Sequence, residues 1–265
     1  MITGGHSFDE VLFFQMVGKL DAGGERKIDW SFMVHPNVES QLTVAYGSQF
    51  DVIVFYDMPG IIFTGNQEHP IDHFEPSEYF KKNFFELVEK GVGLVFLHHA
   101  IGGWPTWKEY GEMMGGKFDF LPHQLRDKHY PGSAYRFNVE QNMTVLMNDH
   151  PILKGFSESF LMKEEVYLYT SLEDEVVPLI RSDFDFSADN FKYGGKNFRE
   201  HPRGSNLIAW IKSHGKSPIV YIQPGHGPKI FQDQEYRKLL YNGIDWAASD
   251  NARDWAKENL RRSES

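Results

Sequence analysis

The chain has 265 residues, 41% of them hydrophobic and 15% aromatic, enough to build a sizeable core. Its net charge of −10 argues against nucleic acid as the main partner, since phosphate binding needs clustered Lys and Arg. With no cysteine there is no disulfide framework, thiolate metal site or Cys nucleophile, and no apolar run is long enough for a membrane span. Twelve histidines keep metal binding and acid–base chemistry open.

In chain order, Met1-Ile2-Thr3 reads as the end of a strand whose start lies upstream, so a preceding segment, with or without a targeting signal, is expected. Thr3 to Asp9 is its strand-to-helix loop, with Ser7 or Asp9 as the cap of a helix from Glu10 to about Leu20. Val11, Phe14, Val17 and Gly18 are its expected packing face. Ile28 to Val34 and Phe50 to Tyr56 read as strands two and three, with Asp57 at the end of the third. Residues 61–76 have no clear period and read as a long loop. A helix follows from Pro76-Ser77-Glu78 to Lys90, with Phe80, Phe84, Leu87 and Val88 on one face and Gly91 as its stop.

Gly93 to Leu97 is a five-residue apolar run that ends at His98-His99 and turns on Gly102-Gly103. A run without alternation suits a strand covered on both faces of a parallel sheet. Trp104 to Met114 reads as a helix. The remainder is mostly strands: Ala134 to Val139, Phe160 to Tyr169, Glu175 to Arg181, Ser205 to Lys212 and Ser217 to Gln223, with Asp183 to Arg203 as an excursion loop. A helix from Glu235 to Asn251 buries Tyr236, Leu239, Leu240, Ile244 and Trp246. The charged tail, residues 253–265, is expected to fray. No repeat or separating linker is visible, so residues 1–265 are read as one domain. The element order predicts an α/β, flavodoxin-like three-layer sandwich, with a mostly parallel central sheet and antiparallel strands added late.

In open α/β sheets, ligands bind outside the carboxyl ends of the strands. His6, Asp57, His98 with His99, and His226 all stand at such ends. His6, His98 and His226 suit a divalent ion, zinc first, and equally suit proton transfer near neutral pH. Glu164 and Glu165 offer a further acid or base. Strand alternation favours His98 over His99 for the site. Trp104 with Trp107 reads either as a sugar-stacking platform or as core. His150 reads as a turn residue, and His35, His69, His73, His129, His201 and His214 as exposed. The only glycine-rich strand-to-helix loop lacks a P-loop Lys, which argues against a phosphorylated-sugar substrate, and no nucleotide cofactor is expected.

Several segments, in order, resemble the trehalose-utilisation, or ThuA-like, family: TGGHSFD (3–9), GVGLVFLHHA (91–100), GGKF (115–118) with His123 beyond, DHPILKGF (149–156), KEEVYLY (163–169), AWIKSHGKSPIVYIQPGHG (209–227) and YRKLLYNGIDWA (236–247). The excursion at 183–203 lies outside this set. The resemblance implies a fold similar to class I glutamine amidotransferases, with His98 at the elbow where those enzymes hold a nucleophilic Cys. This chain has no Cys, so thiolate glutaminase chemistry is excluded. It also implies a role for His226 near the general-base position, for His123 and Glu165 facing the pocket, and a small-molecule sugar as ligand. Two readings follow. One is an enzyme, a lyase, isomerase or hydrolase on a sugar or oxidised sugar, with His98, His226, Glu165 and Asp57 as catalytic candidates and His99, His123, Trp104 and Tyr167 as substrate-binding ones. The other is a non-catalytic carbohydrate-binding or regulatory protein. A homo-oligomer is compatible with either.

Overall fold

The computed structural model describes residues 1–22 and 24–263. A ten-stranded sheet runs through the chain. Its strands are β1 (Ile2–Gly4), β2 (Met33–Val34), β3 (Val52–Asp57), β4 (Gly93–Leu97), β5 (Ala134–Val145), β6 (Ser159–Leu168), β7 (Val177–Ser182), β8 (Tyr193–Gly194), β9 (Leu207–His214) and β10 (Ser217–Ile222). The spatial order is β6-β5-β7-β9-β10-β4-β3-β1-β2, with β8 on β5. The half from β10 to β2 is parallel, and the other half is antiparallel. This is the expected α/β sandwich. The apolar run of β4 lies mid-sheet between β3 and β10, which explains why all five of its residues are buried.

Five longer helices are α1 (Glu10–Val17), α2 (Glu78–Lys90), α3 (Lys108–Met114), α4 (Gln234–Ala247) and α5 (Asp250–Ser263). Helices α1, α4 and α5 pack into one core cluster, and α2 with α3 into the other across the sheet. The cap of α2 is Ser77, whose hydroxyl accepts from the Phe80 N–H, and Gly91 closes it in the left-handed region. Phe80, Phe84, Leu87 and Val88 are buried, as the sequence pattern predicts.

Several elements differ from the sequence reading: the helix read from Trp104 begins at Lys108, the one read to Asn251 breaks after Ala247 into α4 and α5, and the strand from Ala134 runs on to Val145. Asp9 caps α1 through the Leu12 N–H, and the helix presents Phe13, Met16 and Val17 inward, leaving Val11 67% exposed. Strand two shrinks to Met33–Val34, because only Ile2 and Thr3 of β1 stand opposite it. The stretch 61–76 is not a bare loop, since Ile61–Phe63 and Ile71–His73 form an antiparallel hairpin. The tail is α5, with Ala252 and Ala256 buried and Trp255 packed on Trp246, so the apolar side of this charged helix is docked rather than frayed.

Candidate functional site

Chain geometry at the ends of β4 and β10 builds the centre of the site. His98 leaves β4 with a left-handed backbone (φ 51°) and starts a 3-10 turn through Gly102. That conformation is strained for a residue with a Cβ, so the surroundings must hold it. They do. The His98 Nδ1–H donates to the Gln223 carbonyl (2.7 Å), and the His98 carbonyl accepts from the Tyr221 hydroxyl (3.0 Å). Gly225 makes room: a Cβ there would lie 2.9 Å from His98 Cβ. Anchoring Nδ1 to a carbonyl fixes the tautomer and turns Nε2 toward the site.

Nε2 of His98 lies 2.6 Å from the Tyr167 hydroxyl and 3.0 Å from Glu165 Oε2. The same carboxylate oxygen lies 2.8 Å from Nδ1 of His226, which follows β10 in the loop Gln223-Pro224-Gly225-His226. At that distance His226 Nδ1 makes no well-directed hydrogen bond. Alternation along β6 sends Glu165 and Tyr167 to this side and Glu164 to the other. From there the Glu164 carboxylate accepts from the N–H of Gly225 (3.3 Å), while the Tyr56 hydroxyl donates to the Gly225 carbonyl (2.6 Å). Both contacts pin the loop that carries His226.

The electrostatics are coupled. Burial would raise the Glu165 carboxyl, but His226 and His98 beside it hold it down at about 2. Burial works against a charged His226, yet the Glu165 carboxylate raises its pKa. His6 is lowered, first by burial and then by the charges of His98 and His226. His99 is lowered strongly by burial. Glu164 is raised by burial.

These groups meet a cavity of about 190 Å³ lined by His6, Met58, Phe63, His99, Ile101, Phe118, Phe120, Tyr135, Phe137, Glu165, Tyr167 and His226. His98 is fully buried behind it and reaches it through Glu165 and Tyr167. His6 stacks on His99 (4.5 Å between ring centres). The alternation argument against His99 fails because the chain turns at His98 and no longer continues as a strand.

Other expected residues lie elsewhere. Asp57 is buried across the sheet, 2.9 Å from Nε2 of His35, because alternation on β3 gives the site side to Tyr56. Burial raises the Asp57 carboxyl, opposed by His35. Trp104 is core, packed among His35, Phe74 and Phe80. His123 is buried beside Thr170 and Tyr130, outside the cavity lining. His35, His73, His201 and His214 are not exposed: His35 pairs with Asp57, His73 lies 3.3 Å from Asp119, His201 is buried near Tyr130, and His214 is half-buried beside Phe85. The sequence reading missed the aromatic wall. Tyr135 and Phe137 share one face of β5 through their i, i+2 spacing, a signal that was present.

His98, Glu165 and His226 offer one nitrogen or oxygen each within 4.8 Å of one another; among the described residues this is the one such group of three, and His6 stands beside it. Two histidines and a glutamate are a known donor set for catalytic zinc. Donor atoms on one zinc stand ~3.3 Å apart, so the two contacts to Glu165, 2.8 and 3.0 Å, would open by a few tenths, while the two histidine nitrogens stand within 4.8 Å of each other. The donor set therefore fits a divalent ion.

The family model for ThuA, described as trehalose utilisation, matches residues 13–247. Among solved structures, a ThuA-like protein from Parabacteroides merdae aligns with a TM-score of 0.65 at 17% identity, covering 94% of this chain and 88% of that one. A ThuA-like protein from Bacteroides uniformis gives 0.59 at 18% identity, over 94% and 90%. A cytoplasmic protein of Salmonella typhimurium gives 0.58 at 12% identity, over 93% and 97%. At these identities the likeness is one of fold. No curated protein matches the sequence.

Proposed function

Since this chain belongs to the ThuA, trehalose-utilisation family, we propose that it is an enzyme acting on a sugar or oxidised sugar, with a divalent ion held by His98, Glu165 and His226. The observation that carries this reading is the convergence of three donor atoms, from a strand and from the segments that follow two others, with Glu165 and His226 lining an aromatic-walled cavity and His98 buried behind them. A bound zinc would polarise a carbonyl or lower the pKa of a water.

The chain's own groups have separable roles. Gln223 fixes the His98 tautomer with Nε2 toward Glu165, and the Tyr167 hydroxyl, 2.6 Å from Nε2, holds that lone pair when no ion is bound and must give it up to one. Glu165 carries the negative charge that balances the imidazoles. The His226 side chain is 39% exposed, which makes it the member of the group open to a ligand, and in the ion-free site it is the one placed to exchange protons. His6 and His99, whose pKa values are lowered, stay neutral and offer hydrogen bonds to hydroxyls. Phe118, Phe120 and Phe137 supply flat apolar walls for a sugar ring.

The test is metal analysis of untagged protein, with melting curves in added zinc and in chelator, and turnover assays on trehalose, glucose and their keto derivatives. Stoichiometric divalent metal and a zinc-dependent rise in melting temperature are expected, both lost in His98→Ala. Protein that neither retains nor responds to a divalent ion, and whose sugar turnover survives His98→Ala, would overturn the reading.

A further inference from the structure

The aromatic wall does not stop at the cavity. Phe137 packs against His226 at the mouth (4.8 Å), Tyr135 packs against Phe137 (5.2 Å), and Tyr193 stacks on Tyr135 (5.4 Å, 25° between planes). Phe137 is 38% exposed and Tyr193 49%. Three rings thus form a ledge that leads from the proton-exchanging histidine to solvent.

Its outer ring comes from an unexpected place. Tyr193 belongs to the 183–203 excursion, outside the family motifs quoted above. The excursion returns to the sheet as β8, pairing Tyr193 with Tyr135 and Gly194 with Ala134. Gly194 has to be small there, because a Cβ would meet the Phe198 ring at 2.5 Å. The cavity itself is below the ~300–1,000 Å³ of drug-sized sites. It has room for one sugar ring, and a second ring must lie outside it.

We propose that Tyr193, with Phe137 and Tyr135, forms an outer subsite that stacks the second ring of a disaccharide whose first ring occupies the cavity. This rests on the sugar reading above. It makes Tyr193 a specificity-determining residue supplied by the excursion.

The experiment compares binding of trehalose, maltose and glucose by calorimetry to wild type, Tyr193→Ala and Tyr193→Phe. One lost stacking contact is expected to weaken disaccharide binding about three- to tenfold in Tyr193→Ala. Glucose binding is expected to stay unchanged, and Tyr193→Phe to restore the disaccharide. Near-wild-type circular dichroism is expected of all three proteins, since Tyr193 is half exposed. If wild type binds glucose but no disaccharide more tightly, or Tyr193→Ala leaves the ratio unchanged, the subsite is refuted and the sugar reading stands. If wild type binds none of the three, both fall together.

Discussion

Replacing Glu165 by Gln tests the charge at the centre of the site without changing its shape. In metal-free protein the folded carboxyl sits at about 2 against an ordinary 4.5, because the His226 and His98 contacts overcome the opposing effect of burial. That gap is worth about 3 kcal/mol at neutral pH. Glu165 is 4% exposed, so solvent screening takes little from it. His226 reports the same contact from its other end and adds nothing further. The sign follows from the lowered value. The unfolded chain binds the proton more tightly, so the stabilisation is complete above about pH 4.5 and is lost as pH falls toward about 2. Glu165→Gln should therefore lower stability by about 2–3 kcal/mol at pH 7, or about 6–10 °C in melting temperature for a chain of this size. It should also remove the acid-side slope that distinguishes wild type. Urea denaturation in chelator, at pH 7 and at steps from pH 5 to pH 3, reads both. A variant as stable as wild type at pH 7, or one whose stability falls just as steeply below pH 4.5, would refute the reasoning.

Two further substitutions separate scaffold from site. His35→Ala leaves the buried Asp57 carboxylate without its partner, and about 2–4 kcal/mol of stability should be lost in urea titrations while zinc content is unchanged. Loss of zinc without loss of stability would return Asp57 to the site. Gly5→Ala puts a Cβ 2.3 Å from the Met58 carbonyl oxygen at a φ of 78°. It should cost at least about 2 kcal/mol and displace His6, read as a lowered melting temperature together with weaker sugar binding.

The parallel half of the fold was legible because its signals are local. The β4 run, the Ser77 and Gly91 caps of α2, and the inward residues of α4 can each be seen within a dozen residues. The strand-end rule then brought His98, His99, His6 and His226 to one edge. It placed Asp57 there too, and failed because which face a strand's last residue takes depends on register, not on chain order. Tyr56 and Asp57 are adjacent, yet one stacks near His99 and the other pairs with His35, 22 residues away. The same limit applies to Trp104, whose left-handed backbone (φ 46°) turns it into the α2 core. Tyr193 was out of reach for another reason: its neighbour Tyr135 is 58 positions away, and a two-residue strand leaves no periodic trace.

The arrangement around His98 also narrows what the site can be. With Nδ1 hydrogen-bonded to the Gln223 carbonyl, that nitrogen carries its proton. A neutral ring would then aim the Nε2 lone pair toward Glu165 Oε2 at 3.0 Å, two electron-rich atoms in a buried place. Something positive has to lie between them or on them. The Tyr167 hydroxyl, 2.6 Å from Nε2, offers one proton and can satisfy the nitrogen, but it leaves the carboxylate unbalanced. His226, 2.8 Å from the same oxygen, can balance it as an imidazolium, and a divalent ion can balance it by taking both nitrogens at once. A sugar hydroxyl bound by neutral histidines alone would do neither. The centre can therefore carry charge, either as a mobile proton or as a cation, and that is the property the proposed enzymatic reading requires.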